Sequence, residues 1–137
     1  MGLAGSRTTD QHDILGAIYT ALTTNNLNGA KRSVYDEGVV PNEQAGPYLV
    51  LGYSQAFQGA QMNASERSFA LDIHIWSQAN GRKECQAIAK DVDALLCDKS
   101  LTVGASACWI WFEELEILHD ESGWWHGVLT LRTDFVR

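Results

Sequence analysis

From Asp10 to Thr24 the apolar residues Ile14, Leu15, Ile18 and Leu22 recur at the spacing of one helical face, which predicts a first amphipathic helix. Thr9 or Asp10 can cap it, and the Asn25-Asn26 and Asn28-Gly29 pairs break it. A short strand is predicted over Arg32 to Glu37, followed by a loop through Gly38, Pro41 and Asn42 to Gly46. Pro47 opens a second strand, where its missing amide is harmless, and that strand runs from Tyr48 to Phe57. It begins with consecutive apolar residues, as expected when both faces are covered. The clearest strand follows: Phe69, Leu71, Ile73 and Ile75 alternate with Ala70, Asp72, His74 and Trp76. Between these two strands, Gln58 to Glu66 (QGAQMNASE) has no periodicity and reads as a mobile connection containing Gln58, Gln61, Met62, Asn63 and Glu66.

Ser77 or Asn80 can cap a second helix over Gly81 to Asp98. Its stripe of Cys85, Ile88, Ala89, Val92, Leu95 and Leu96 would lie on a sheet. A hairpin closes the chain, from Ala107 to Leu118 and from Trp124 to Val136, turning at His119 to Gly123. A register with Ile117 opposite Trp125 places Trp109, Trp111, Leu115 and Ile117 on one face with Trp125, Leu129, Leu131 and Phe135. His126, Thr130, Arg132 and Asp134 then point the other way, and Glu113 falls awkwardly on the core side. The expected fold is α+β in the order α-β-β-β-α-β-β. It has a mixed or antiparallel sheet of about five strands, with both helices mainly on one face. Residues 1–9 read as a flexible arm and residues 10–137 as a single domain. The crossover through the second helix is long enough to allow one parallel pairing.

Composition narrows the function. The 137 residues are 45% hydrophobic and 20% charged, enough for one core with no external staple. The odd count of cysteines, Cys85, Cys97 and Cys108, without a C-x-x-C pair argues against both a disulfide framework and a thiolate zinc site. It suits a reducing cytoplasm. No signal peptide and no membrane-length apolar run are visible, so a soluble chain with no membrane partner is expected. The net charge of −7, with basic residues scattered, disfavours grip on phosphate backbones. An acidic wall past which DNA slides without sticking fits the same charge.

Candidate chemistry is thin. His12, His74, His119 and His126 are dispersed, and His119-Asp120-Glu121 sits at a turn rather than in a convergent ligand set. His126 with Glu116 across the hairpin, or Cys85 with a distant histidine, would be the pairs for an enzyme. The helical stripe instead makes Cys85 a core residue, and the Glu113, Glu114 and Glu116 run reads as a charged edge that deters strand pairing. No catalytic residue, metal or cofactor is expected. Trp76 and Trp124 fall on the opposite parity from their core neighbours, so with Asp72 and His74 they form the candidate interface.

Pro47-Tyr48-Leu49-Val50, the strand FALDIHIWS from Phe69 to Ser77, the helix start Gly81-Arg82-Lys83-Glu84 and the closing Gly127 to Arg132 occur in an order that resembles the phage tail-completion, or tail-terminator, family. That family includes versions from gene transfer agents, and the resemblance extends from about Asp10 to Arg137. It implies a small structural virion subunit, commonly in a six-fold homohexamer ring, on the head-proximal end of a tail tube. There it would end tube polymerisation and offer a surface for head–tail joining. The implied partners are itself, the tail tube protein and a head–tail connector or stopper protein, with assembly in the bacterial cytoplasm. The alternatives are another neck or connector subunit, or a small intracellular protein-binding adaptor.

Overall fold

A computed structural model describes residues 7–27, 29, 33–58, 66–103 and 106–136. The elements are α1 (Arg7–Thr24), β1 (Ser33–Asp36), β2 (Tyr48–Gln58), β3 (Glu66–Ser77), α2 (Lys83–Leu96), β4 (Lys99–Val103), β5 (Ser106–His119) and β6 (Trp125–Val136). They form one six-stranded sheet in the order β1-β2-β3-β6-β5-β4. β1 and β2 run parallel and every other pairing is antiparallel. The parallel pair therefore sits at the opposite edge from the α2 crossover, which instead delivers β4 antiparallel to β5. α1 begins at Arg7, a turn ahead of the expected start, and residues 1–6 of the expected arm lie outside the described residues.

Both helices pack on one face. Ile14, Ile18 and Leu22 of α1, with Cys85, Ile88, Ala89, Val92 and Leu96 of α2, share a core with Leu49, Leu51, Phe69, Leu71, Ile73, Ile75, Leu129 and Leu131 of the sheet. Each large aliphatic side chain removed from water here contributes about 1.5–3 kcal/mol. Gly127 lets α2 approach: a Cβ there would lie 2.6 Å from Cys85 Sγ. α1 ends where polar side chains compete for its last carbonyls, Thr24 Oγ1 donating to Thr20 O at 2.8 Å and Asn25 Nδ2 to Ala21 O at 2.7 Å. Neither expected side chain caps α2. Arg82 stands at its N-cap without a capping bond, and Ser77 Oγ instead donates to Glu84 Oε1 at 2.6 Å.

β4 is the strand that the pattern did not announce. Asp98, with φ of 56°, turns the chain sharply after α2, and its amide donates to Ile110 O at 2.7 Å. Along β4, Val103 is buried and Leu101 half-buried, too little alternation to read.

The hairpin register is shifted by two residues from the expected one, Ile117 opposing Gly127 rather than Trp125, and it changes parity at a β-bulge. From His119↔Trp125 to Glu114↔Thr130 the pairing keeps the expected parity, with Leu115 and Ile117 on the core side. Glu113 is then an extra residue, and beyond it Phe112 opposes Leu131. The parity flips there. Cys108 and Ile110 become core residues, whereas Trp109 and Trp111, expected in the core, stand 38% and 45% exposed on the other face. Glu113 itself is exposed, which removes the conflict of a carboxylate aimed at the core. Thr133, opposite Ile110, carries a buried hydroxyl with no hydrogen-bond partner among the described residues.

Candidate interaction surface

The sheet face away from the helices is built by the alternate residues of β2, β3 and β6, so parity alone places Tyr48, Val50, Asp72, His74, Trp76, His126 and Thr130 on it. At its hairpin end the rings form a connected chain. Trp76 stacks on His126, with centroids 3.8 Å apart and planes 7° off parallel. Trp124 meets Trp76 edge to face at 6.2 Å and Tyr48 at 5.8 Å, and Tyr48 meets Tyr35 at 5.9 Å. The T-shaped contacts suit the ring quadrupoles and help hold the rings in place. Tyr35 Oη donates to Gln44 Oε1 at 2.6 Å, tying the loop after β1 to the cluster. Gly46 is where that loop passes Trp124, since a Cβ there would lie 3.0 Å from Trp124 Cζ3.

His74 Nδ1 and His126 Nε2 lie 2.7 Å apart, one ring N–H donating to the bare nitrogen of the other. The His126 pKa is lowered by burial and then by His74, against a smaller opposing pull from Asp120. Burial and the neighbouring ring thus favour the neutral form of His126. A second proton would set two donors nose to nose. Gly52 makes room for His74: a Cβ there would lie 2.4 Å from the imidazole. Asp72 accepts from Thr130 Oγ1 at 3.1 Å, which holds it on the sheet surface.

Two shallow clefts flank Trp76. One, of about 350 Å³, lies between the Pro41–Gln44 loop and Tyr48, Trp76 and Trp124, with Glu43, Asp120 and Ser122 at its rim. The other, of about 340 Å³, is lined by Glu37, Gly38, Val40, Tyr48, Val50, His74, Trp76 and His126. Aromatic walls under an acidic rim suit an apolar or cationic side chain.

The structure thus brings Trp76, Trp124 and His74 into one cluster with Tyr48 and His126, and puts Asp72 on the same face. Tyr48 and His126 were missed as members. Their position opposite Trp76 in the ladder, Tyr48↔Trp76 and Trp76↔His126, is a pairing that a single strand cannot reveal. Gln58 ends β2 and Glu66 starts β3, while Gln61, Met62 and Asn63 lie outside the described residues. The suggested His126–Glu116 pair does not form: Glu116 opposes Val128, and His126 opposes Leu118.

On the helix side, Trp125 carries His119 stacked at 4.3 Å, and the Arg82 guanidinium lies 5.6 Å from its ring centroid. Burial pushes the thiols of Cys85 and Cys108 up to about 11 and that of Cys97 to about 12, so all three are protonated at neutral pH and poor nucleophiles. Among the described residues no group of three or more His, Cys, Asp or Glu side chains could hold a metal ion, and no helix is long and apolar enough to cross a membrane.

The sequence profile of the family described as tail completion protein gp17 matches residues 14–134. Among solved structures, a chain of the virion of a native gene transfer agent particle superposes with a TM-score of 0.74 at 22% identity, over 89% of this chain and 93% of that one. A second solved chain, whose name states no activity, gives a TM-score of 0.66 at 12% identity over 98% and 97% of the two chains. No curated protein sequence is significantly similar.

Proposed function

The chain belongs to the tail completion protein gp17 family, as a structural protein of a phage-like tail, and we propose that it caps the head-proximal end of the tail tube. In this reading it ends tube polymerisation and presents the surface to which the head connector docks. The family match across residues 14–134, almost the whole two-layer domain, carries the reading. Closure into a ring needs a heterologous interface, in which one patch meets a different patch on the neighbour. The opposed faces of this molecule differ enough to supply one: an aromatic, acid-rimmed sheet surface on one side and the helices on the other. A subunit of net charge −7 repeated around a channel would let DNA pass without holding it.

The test is assembly with and without the protein. Particles made without it are expected to carry tubes of uncontrolled length that fail to join heads, and adding the purified chain is expected to restore both properties. Tubes of normal length that still join heads in its absence would overturn the reading.

A further inference from the structure

We propose that the bare sheet face is the docking site for the outer face of α2 of a second copy of this chain, an acidic tryptophan surface meeting the exposed Lys83 and Lys90 of that helix. The inference rests on reading the chain as an assembling subunit and adds which two surfaces meet.

The first observation is an anchor held ready. Trp111 lies half-exposed on the bare face, yet its indole N–H donates to Asp134 Oδ2 at 3.0 Å. Asp134 Oδ1 in turn accepts from Ser68 Oγ at 3.0 Å, and Ser68 is buried. Trp109 sits beside it, ring centroids 5.9 Å apart. An aromatic ring fixed before any partner arrives loses little freedom on binding. Exposed Trp of this kind is the usual interface anchor.

The second observation is the charge around that anchor. Ladder positions place Glu114 and Glu116, both exposed, on the same face as Trp109 and Trp111, with Asp72 and Asp134. Arg132 stands next to Asp134, its Nε 4.0 Å from Oδ1. The face is therefore acidic with aromatic islands.

The complement lies on the other side of the molecule. α2 turns Cys85, Ile88, Ala89, Val92 and Leu96 inward, so Lys83, Gln86 and Lys90 are exposed on its outer side. Arg82 and Lys99 are exposed just beyond its two ends. Four of the chain's ten basic residues gather on this layer although the chain is acidic overall. Glu84, Asp91, Asp93 and Asp98 bring as many negative charges to the same stretch, Arg82 lies over Trp125 and Lys99 Nζ donates to Ala94 O, so the complement is the pair Lys83 and Lys90 on the outer side. Glu84 is engaged by Ser77, Asp91 and Asp93 are half-buried, and Asp98 alone of the four acidic residues on and just after α2 is exposed. Like faces would repel, whereas sheet against helix matches charge and lets lysine ammonium groups sit over the Trp109 and Trp111 rings. Because the two faces lie on opposite layers, the contact is head to tail, as a ring requires.

The experiment uses the full chain and two charge-reversed variants: Glu114→Lys with Glu116→Lys, and Lys83→Glu with Lys90→Glu. All four positions are exposed, and thermal melts check that both variants fold. Should either fail, Glu116→Lys or Lys90→Glu alone replaces it under the same criteria. Native mass spectrometry and sedimentation follow self-association against concentration and salt. The wild type is expected to associate, less so at high salt. Each variant alone, now like-charged on both faces, is expected to associate at least about tenfold more weakly. An equimolar mixture is expected to recover and to contain equal numbers of the two variants, because only alternation pairs opposite charges. A wild type monomeric up to its solubility limit, a variant that associates as well as the wild type, or a mixture no better than its parts would overturn the proposal. None of these results touches tube capping, which is read from tail length and head attachment.

Discussion

The paired imidazoles show how one residue can carry a pH response. The folded His126 pKa lies below the ordinary value of about 6.5, first because of burial and then because of His74. The unfolded chain therefore binds the proton more readily. His126 leaves stability intact above about pH 6.5, and stability falls as the pH drops through that value toward the folded pKa. Urea denaturation at pH 7.5 and pH 5 is expected to show this loss in the wild type. In His126→Gln the loss should be smaller, so the stability gap between the two proteins should change in the variant's favour on acidification. An unchanged gap would mean that His126 does not titrate differently on folding. The surroundings of the pair were only half visible in the sequence. The off-core parity of Trp76 and His74 was legible in the alternation of Phe69 to Ile75, but the His126 ring that lies on Trp76 came from a strand fifty residues away.

At the scale of the element, β5 carries the main correction. Alternation reports parity only along an uninterrupted strand, and the extra residue at Glu113 exchanges the two faces of everything before it. A trace of this was present in the sequence: a carboxylate assigned to a core face is a contradiction, and a bulge resolves it. The exchange makes a sharp prediction. Ile110 is fully buried and Trp111 is 45% exposed. Ile110→Ala is expected to cost about 2–5 kcal/mol of unfolding free energy, because it leaves a cavity under α2 and the sheet. Trp111→Ala should cost markedly less in spite of the larger side chain removed. Chemical denaturation of the two variants decides it, and the reverse order would restore the uninterrupted register. The bulge and the exposed Glu113, Glu114 and Glu116 also discourage strand addition along the part of β5 that β4 does not cover.

For the whole molecule, the division into a helix-covered face and a bare face sets what is available to partners. Trp76 is half-buried in the ring cluster of the bare face, so its loss touches both packing and docking. Trp76→Ala is expected to reduce tail completion more than the folded fraction at the assay temperature, with the two measured on the same preparation. Parallel losses would make Trp76 a packing residue only.

The sequence by itself determined the two helices, the strands β1, β2, β3, β5 and β6, the core stripes of Ile14, Ile18 and Leu22 and of Cys85, Ile88 and Val92, and the likeness to the tail-completion family. Each of these is a local pattern, repeated every two or every three to four residues, that burial imposes on contiguous chain. Tertiary structure decided what depends on residues far apart: the edge strand β4, the order β1-β2-β3-β6-β5-β4, the exposure of Trp109 and Trp111, and the union of Tyr48, Trp76, Trp124 and His126. Strand pairing selects neighbours by register and sheet order, and neither is written in the periodicity of one segment.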